Sequence, residues 1–318
     1  MRKIFALSIL CLSLFTCDDG DIITSELEFD DTFRACGDLV IYKTNPSQSL
    51  TLQITGSEFV ISNLIQTEVH PDNPNRLQLV NTEYDQNNVG GNHTFKYRSY
   101  ASSTEGIFCN DVPPDNIQIT EDYTSSGDFT FFVTLIEDDN DGIPAYLEDL
   151  NGNGDLNDDD TDGDGIPNYM DPDDDGDNVL TISEGVTFEE GMTLAELEAN
   201  ALDTDGDGIP NYRDNDDDGD GTLTIDEENA TTQDNNPTND VTDPNAGPDY
   251  LNDQVTTPLL ATSYRQHTIY NTFEVRMIAY GLDFSSFQYQ TYDFGNLIDI
   301  SNTNDFDLSS TRNITPEF

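Results

Sequence analysis

The chain has 318 residues, of which 64 are acidic and 11 are basic, so its formal net charge at pH 7 is -53. About half of the acidic residues lie in the segment 137–228, which contains a single cation, Arg213. A surface of this sign repels nucleic acid and anionic lipid headgroups, so the composition excludes both as partners of this segment. We expect its natural partners to be cations.

The N-terminal residues have the pattern of a signal peptide. Two basic residues precede an apolar run over residues 4–15, which is too short to cross a bilayer. The run ends in LFTC, residues 14–17, which resembles the lipobox of bacterial lipoproteins. The resemblance implies that residues 1–16 are a lipoprotein signal peptide and that Cys17 is lipidated. A plain secreted protein is the alternative.

The residues that follow the predicted lipid cysteine are acidic. Residues 17–21 read CDDGD, which resembles the surface-export signal of some Bacteroidota lipoproteins. This resemblance implies a short lipidated tether and a lipid-anchored, surface-exposed position at the outer membrane. Several acyl chains on one cysteine anchor a protein firmly, whereas a single chain binds only marginally. The expected partner of this end of the chain is therefore the membrane.

Two cysteines remain outside the predicted signal peptide and anchor. Cys36 and Cys109 would lie in an oxidising compartment after export, so we expect them to form one disulfide. A bridge between them would close a loop of about 70 residues and stabilise the fold by on the order of 4 kcal/mol. Two free buried thiols are the alternative.

Segments with the composition of β-strands flank the acidic part of the chain. Residues 22–136 contain runs such as SLTLQITG, in which apolar and polar residues alternate, and residues 254–318 contain TFEVRMIAYGL with the same period. The C-terminal part is too short for a core of its own, so we expect its strands to complete the first sheet. The sequence predicts an antiparallel β-sandwich-like domain that is interrupted by an insertion at residues 137–253.

The insertion repeats a register of twelve residues. In residues 160–171, carboxylates occupy positions 1, 3, 5 and 12, and Gly165 occupies position 6. Ca²⁺ takes about six to eight oxygen ligands, and an EF-hand loop supplies them from positions 1, 3, 5, 7 and 12 with glycine at position 6. Glycine lets the backbone reverse so that position 7 can offer its carbonyl oxygen. The spacing therefore predicts a calcium site.

The same register occurs at residues 137–148, 149–160, 160–171, 173–184, 203–214 and 216–227. The stretches 160–184 and 203–227 share 20 of 25 residues, which indicates an internal duplication. In one loop Asn178 replaces the glycine, and asparagine tolerates a positive φ better than most residues. The predicted ligands, with position 7 acting through its carbonyl, are Glu137, Asp139, Asp141, Ile143, Glu148, Asp149, Asn151, Asn153, Asp155, Asp160, Asp162, Asp164, Ile166, Asp171, Asp173, Asp175, Asp177, Val179, Glu184, Asp203, Asp205, Asp207, Ile209, Asp214, Asp216, Asp218, Asp220, Thr222 and Glu227.

These units resemble EF-hand-like calcium loops and, more closely, bacterial thrombospondin type 3 repeats with their DxDGDGIPNYxD units. The resemblance covers about 90 residues and implies helix-poor loops that wrap around a row of Ca²⁺ ions. Pro144, Pro167 and Pro210 stand at position 8, where a paired EF-hand donates a backbone N–H that proline lacks. The predicted fold class is thus mainly β, with a long helix-poor insertion of tandem calcium-binding loops. One short helix is expected after Thr193, which can form a capping box with Glu196.

A solvated, disordered acidic linker is the alternative for the insertion, and composition alone favours it. In all six loops, however, glycine or asparagine follows three alternating oxygen donors at the same position, and this regularity favours metal binding. Carboxylates about 4 Å apart repel by about 4 kcal/mol at an effective dielectric near 20, so we expect calcium binding to be coupled to folding. Mg²⁺ fits less well, because it takes fewer protein oxygens in strict octahedral geometry.

The sequence contains none of the HExxH, GxSxG, GxxxxGK or CxxC patterns, so it predicts no enzyme. The histidines, His70, His93 and His267, are expected to be surface residues or satisfied core residues. The favoured hypothesis is a surface lipoprotein whose loops fold and stiffen on binding Ca²⁺, acting as a structural or interaction module. The alternative is a β domain that binds a glycan, peptide or protein, with the calcium repeats only as scaffold. Either hypothesis allows a surface protein or glycan as partner.

Overall fold

The computed structural model describes residues 27–37, 39–110, 112, 114–298 and 307–318. The predicted signal peptide, the lipidation of Cys17 and the acidic tether lie outside the described residues. Cys109 is disulfide-bonded, and its Sγ lies 3.6 Å from the carbonyl oxygen of Ala35. The side chain of Cys36, its predicted partner, is outside the described set. No described helix is long and apolar enough to span a bilayer.

The described part of the chain contains twelve β-strands and two short α-helices. The strands are β1 (Thr32–Cys36), β2 (Val40–Asn45), β3 (Gln48–Thr55), β4 (Thr67–Val69), β5 (Leu77–Leu79), β6 (Glu83–Asp85), β7 (Asn92–Tyr100), β8 (Ile119–Ser125), β9 (Asp128–Asp138), β10 (His267–Asp283), β11 (Gln288–Leu297) and β12 (Ser309–Ile314). The helices are α1 (Gln86–Val89) and α2 (Leu194–Asn200). The prediction of a mainly β fold is confirmed.

Ten of these strands form one large sheet in the order β6-β9-β10-β11-β1-β2-β3-β7-β8, with β12 beside β10. The strands β4 and β5 form a separate hairpin. One pair departs from the predicted antiparallel arrangement, because β1 and β11 pair in parallel and make the sheet mixed. Almost the whole chain separates these two strands, so no tight turn forces them to run in opposite directions.

The large sheet folds over so that its two halves enclose a core of aromatic and aliphatic side chains. Phe95 on β7 packs against Phe294 on β11 with ring centroids 6.0 Å apart, and Phe33 on β1 packs 6.4 Å from Phe131 on β9. Alternate residues of β10 are buried, as the period of a half-buried strand requires. The arrangement is therefore sandwich-like, as the alternating segments predict.

The acidic insertion leaves the sheet at the end of β9 and returns to it at the start of β10. These two strands pair antiparallel over their whole common length, from Asp128 opposite Tyr280 to Asp138 opposite Tyr270. The strands on both sides of the insertion thus lie in the same sheet. The two ends of the insertion are held next to each other by the longest pairing in the fold.

The regular secondary structure of the insertion consists of α2 and eight 3₁₀-helices of three residues each, and the insertion also contains buried apolar side chains. One cluster joins Ile143 and Leu147 to Leu197 on α2, and α2 begins with the predicted capping box of Thr193 and Glu196. A second cluster joins Ile166, Tyr169 and Met170 to Ile269 on β10. The second cluster packs the loop at residues 160–171 directly against the sheet, which fixes its position relative to β10.

Candidate metal centre

The six predicted loops share one pattern of backbone hydrogen bonds. In residues 160–171, the Asp160 carboxylate accepts from the N–H groups of Gly163 and Gly165, and Asp164 Oδ1 accepts from Ile166 N–H at 2.6 Å. The same contact from position 5 to the N–H of position 7 occurs at Asp141 and Ile143, Asn153 and Asp155, Asp177 and Val179, Asp207 and Ile209, and Asp220 and Thr222. One oxygen at position 5 is thereby tied to the loop backbone. Carbonyl coordination by position 7 stays a prediction.

Position 6 of every loop has a left-handed backbone. The φ angles are 107° at Gly142, 85° at Gly154, 89° at Gly165, 70° at Asn178, 101° at Gly208 and 93° at Gly221. L-residues with a Cβ rarely adopt this region, which explains why glycine, and once asparagine, stands there. The conformation turns the chain back over the carboxylates of positions 1, 3 and 5, as the register predicts.

The first buried group of carboxylates, site A, consists of Asp139, Asp141, Glu148 and Asp174. One ligand atom of each lies within 4.8 Å of those of the others, and all four residues are buried. Both oxygens of Glu148 and one oxygen of each aspartate are buried without a hydrogen-bond partner. A buried carboxylate oxygen without a partner is costly, so these atoms need a cation or protons.

The second buried group, site B, consists of Asp175, Asp177, Glu184 and Asp217. Their ligand atoms also lie within 4.8 Å of one another, and all four residues are buried. The two oxygens of Asp175, of Glu184 and of Asp217 have no hydrogen-bond partner. Site B therefore repeats the composition of site A, with three carboxylates from one loop and a fourth from another.

Burial raises the pKa of the carboxyl groups in both sites. Loss of water, reinforced by neighbouring carboxylates, raises the pKa of Glu148 to about 9, and burial raises that of Asp141 to about 6. The pKa values of Asp174, Asp175 and Glu184 are raised for the same two reasons. Without a bound cation, Glu148 is protonated at neutral pH.

A third group, site C, forms in the loop at residues 160–171. Ligand atoms of Asp160, Asp162 and Asp164 lie within 4.8 Å of one another, and Asp164 also forms such a group with Asp171 and His267. His267 is 1% exposed, and neither of its ring nitrogens makes a hydrogen bond. The expectation that each histidine is a surface or satisfied core residue is therefore wrong for His267, because β10 carries its ring into the loop.

The loop at residues 203–214 forms a further group, and the loop at residues 216–227 shares features of sites A and B. Asp203, Asp205 and Asp207 bring their ligand atoms within 4.8 Å of one another, but two of the three are exposed. In the last loop, burial raises the pKa of Glu227 to about 9, with Asp218 next in effect, and both oxygens of Glu227 lack a hydrogen-bond partner. In its buried carboxylate oxygens without hydrogen-bond partners, the loop at residues 216–227 thus resembles sites A and B more closely than the loop at residues 203–214 does.

Comparison with known proteins adds one match. Residues 138–193 match the BamM C-terminal family model. No curated protein and no solved structure matches the chain, and no calcium-binding repeat family was found. The matched segment contains the predicted loops at residues 149–160, 160–171 and 173–184 and all but the first residue of the loop at 137–148, and it ends immediately before α2.

Several predicted ligands do not take part in the groups described above, among them Glu137, the donors at residues 149–155, Asp173 and Asp214. Glu137 forms an ion pair with Arg312, with Oε1 2.6 Å from Nη2, and accepts from the N–H of Leu77, because it belongs to β9 and points towards β12 and β5. In the loop at residues 149–160, the Asn153 amide donates to Asp158 at 2.8 Å. The donors of this loop are largely exposed and bonded among themselves.

Three ligand candidates have no counterpart among the predicted positions. Asp174 and Asp217 stand at position 2 of their own loops, and each contributes a ligand atom to a site built mainly by another loop, Asp174 to site A and Asp217 to site B. The loops at 160–171 and 203–214 carry Thr161 and Thr204 at position 2. Asp138 also stands at position 2 and joins none of the groups described above, so an acidic residue at this position is only a weak signal in the sequence. No local signal exists for His267, since it enters from a strand.

Proposed function

We propose that this chain is a non-enzymatic, calcium-binding lipoprotein of the outer membrane, in which Ca²⁺ folds and stiffens the tandem loops. The observation that carries the proposal is the set of buried carboxylate oxygens without partners in sites A and B. The described residues form groups that could hold a metal ion, and the donors in these two sites are all oxygens. Ca²⁺ prefers such a donor set.

Charge supports a bound cation at these sites. Each of sites A and B gathers four acidic side chains, and within the described ranges no ion pair links a basic side chain to any of them. Two carboxylates about 4 Å apart repel by about 4 kcal/mol at an effective dielectric near 20. Several such pairs in one buried site would expand the loop, whereas a divalent cation would hold it closed.

The geometry also connects the proposed sites to one another. Asp174 belongs to the loop of site B but contributes to site A, and Asp217 belongs to the loop at residues 216–227 but contributes to site B. An ion in either site would therefore bind two loops that are distant in sequence. Binding would cross-link the insertion along its length, which is the physical basis of the proposed stiffening.

The membrane part of the proposal rests on the N-terminal pattern and on the family match. The LFTC sequence resembles a lipobox, and the match to the BamM C-terminal model is consistent with association with the outer membrane. Lipid anchoring at Cys17 and exposure at the cell surface belong to the proposal. A strongly acidic insertion would be repelled by anionic lipid, so it would extend away from the membrane to which the anchor holds it.

Calorimetric titration with Ca²⁺, combined with small-angle scattering, tests the proposal on the purified full chain in detergent. We expect several bound ions at millimolar Ca²⁺ and a smaller radius of gyration than in chelator. The variant Asp175→Asn with Asp177→Asn should lose one ion, whereas Glu190→Gln with Asp253→Asn, which changes the charge equally at exposed positions, should lose none. No bound Ca²⁺ at millimolar supply would contradict the proposal.

A further inference from the structure

The first residue of β10 brings an imidazole into a loop of carboxylates. His267 is 1% exposed and pairs in the sheet with Ile314 of β12, so its backbone is fixed by strand pairing. Its ring reaches Asp164 and Asp171, which are positions 5 and 12 of the loop at residues 160–171. The sheet thus holds a nitrogen donor at a site whose other donors are all oxygens.

The contacts of this ring are those of a ligand without its ion. Nδ1 lies 2.8 Å from Asp171 Oδ1, yet neither ring nitrogen forms a hydrogen bond, and Asp171 Oδ2 is buried without a partner. In a tetrahedral site, two ligands about 2.1 Å from the ion are about 3.4 Å apart, so Nδ1 and Oδ1 would separate by roughly half an ångström on binding an ion. The short distance without a hydrogen bond fits two donors aimed at a common point.

The second nitrogen of the ring also has an acidic neighbour. Nε2 lies 3.8 Å from Oδ2 of Asp173, which is fully buried. A histidine that binds a metal through one nitrogen usually directs its other N–H to a carboxylate or carbonyl, which fixes the tautomer and the ring orientation. Asp173 stands where such an orienting carboxylate is needed, just outside hydrogen-bond distance.

An almost identical loop without a histidine provides an internal comparison. Residues 203–214 differ from residues 160–171 only at Arg213, which replaces Met170. In that loop the group of ligand atoms consists of three aspartates, two of them exposed. The loop sequence is therefore compatible with an all-oxygen site, and the nitrogen of His267 is what distinguishes site C.

We propose that site C, in which Asp164 joins the group of Asp171 and His267 to the group of Asp160 and Asp162, binds a transition-metal ion of the Zn²⁺ class in preference to Ca²⁺. Imidazole is a common ligand of zinc, copper, iron and nickel, whereas Ca²⁺ is bound by oxygen ligands. The proposal rests on the proposed function only in using one of the same loops. Such an ion would connect the insertion directly to the first residue of β10, beside the Ca²⁺ ions of sites A and B.

Binding of Co²⁺, a spectroscopic substitute for Zn²⁺, to the full chain in saturating Ca²⁺ tests this assignment. We expect one tightly bound Co²⁺ with visible absorption bands and a paramagnetically shifted, solvent-exchangeable imidazole N–H signal. His267→Gln should abolish the shifted signal and weaken Co²⁺ binding by about 10- to 100-fold. His93→Gln is the matched control, because His93 lies on β7 and bonds to the Gly127 carbonyl oxygen.

A second pair of variants keeps the test decisive if His267→Gln folds poorly. Asp162→Asn should weaken Co²⁺ binding, whereas Asp205→Asn, at the same position of the almost identical loop, should leave it unchanged. Equal Co²⁺ affinity in the wild type, His267→Gln and Asp162→Asn would overturn the assignment. The Ca²⁺ stoichiometry of the wild type is measured separately. If the wild type still binds several Ca²⁺ ions, only the assignment of site C has failed. If it binds none, the proposed function has failed.

Discussion

A carboxylate oxygen of Asp217 lies within 4.8 Å of a carboxylate oxygen of Asp177, although 40 residues separate them in the chain. The two belong to different loops of the duplicated unit, yet they share site B. Each loop alone supplies an incomplete set of charged donors, and the neighbouring loop completes it. Metal affinity in this insertion should therefore depend on residues outside each twelve-residue register.

Asp217→Asn tests this dependence. Ca²⁺ affinity follows the number of charged ligands, so removing one of four carboxylates should weaken binding at site B by about tenfold or more. The loss should appear in calorimetry as one weakened site, with the others retained. Asp253→Asn makes the same charge change at an exposed position and should bind Ca²⁺ as the wild type does. Equal effects of the two variants would show that Asp217 acts only through net charge.

The sequence predicted the loops well because their geometry is local. Alternate donors followed by glycine or Asn178 require a left-handed residue at position 6, and the structure has one in each loop. The sequence could not predict site closure in the same way, since Asp174 and Asp217 reach across loops and His267 arrives from the sheet. The parallel pairing of β1 with β11 was also missed, because long-range strand partners leave no local pattern.

Asn178 shows why one loop has asparagine at position 6. Its side-chain amide donates to the Ser263 carbonyl oxygen at 3.2 Å, and its Oδ1 accepts from Arg265 N–H at 2.8 Å. These bonds attach the loop of site B to the segment that leads into β10. A glycine would accept the same φ of 70° but could not make either contact.

Substitutions at this position should separate the two roles of Asn178. Asn178→Gly keeps the backbone conformation and loses the two side-chain hydrogen bonds, which should lower the free energy of unfolding by about 1–3 kcal/mol. Asn178→Ala loses the same bonds and also places a Cβ in the left-handed region, which should cost about 1 kcal/mol more. Chemical unfolding in Ca²⁺ measures both variants. If Asn178→Ala is as stable as Asn178→Gly, the positive φ is not what selects the residue.

The metal-free insertion should become more compact as the pH falls. Burial raises the pKa of Glu148 and of Glu227 to about 9, from an ordinary value near 4.5. Between about pH 4.5 and about pH 9, the folded loop therefore keeps protons on these two carboxyl groups, whereas the unfolded loop has released them. Its stability is fully present below about pH 4.5 and is lost as the pH rises through about 9.

Calcium should reverse this dependence, because the ion binds the charged carboxylates and must displace their protons. Ca²⁺ affinity should therefore rise with pH across the same window. Small-angle scattering in chelator and calorimetry in Ca²⁺, each at about pH 5 and about pH 8, measure the two trends. A metal-free radius of gyration that is constant over this interval would contradict the assigned burial of the two glutamates.

Glu137 provides a test of which acidic residues are ligands. Its register position predicts a ligand, but the structure pairs its carboxylate with Arg312 and with the N–H of Leu77. Glu137→Gln should therefore leave the number of bound Ca²⁺ ions unchanged. It should lower the free energy of unfolding by roughly 2–3 kcal/mol, because a largely buried guanidinium loses its charged partner.

The exposed pair of Arg276 and Asp293 is the matched control for this effect. Both side chains are about half exposed, so Asp293→Asn should cost less than about 1 kcal/mol. Thermal unfolding in saturating Ca²⁺ compares the two variants, and calorimetry counts their ions. If Glu137→Gln binds one Ca²⁺ ion fewer than the wild type and its stability changes little, Glu137 is a ligand after all. That result would also mean that the ion pair with Arg312 forms only in the metal-free state.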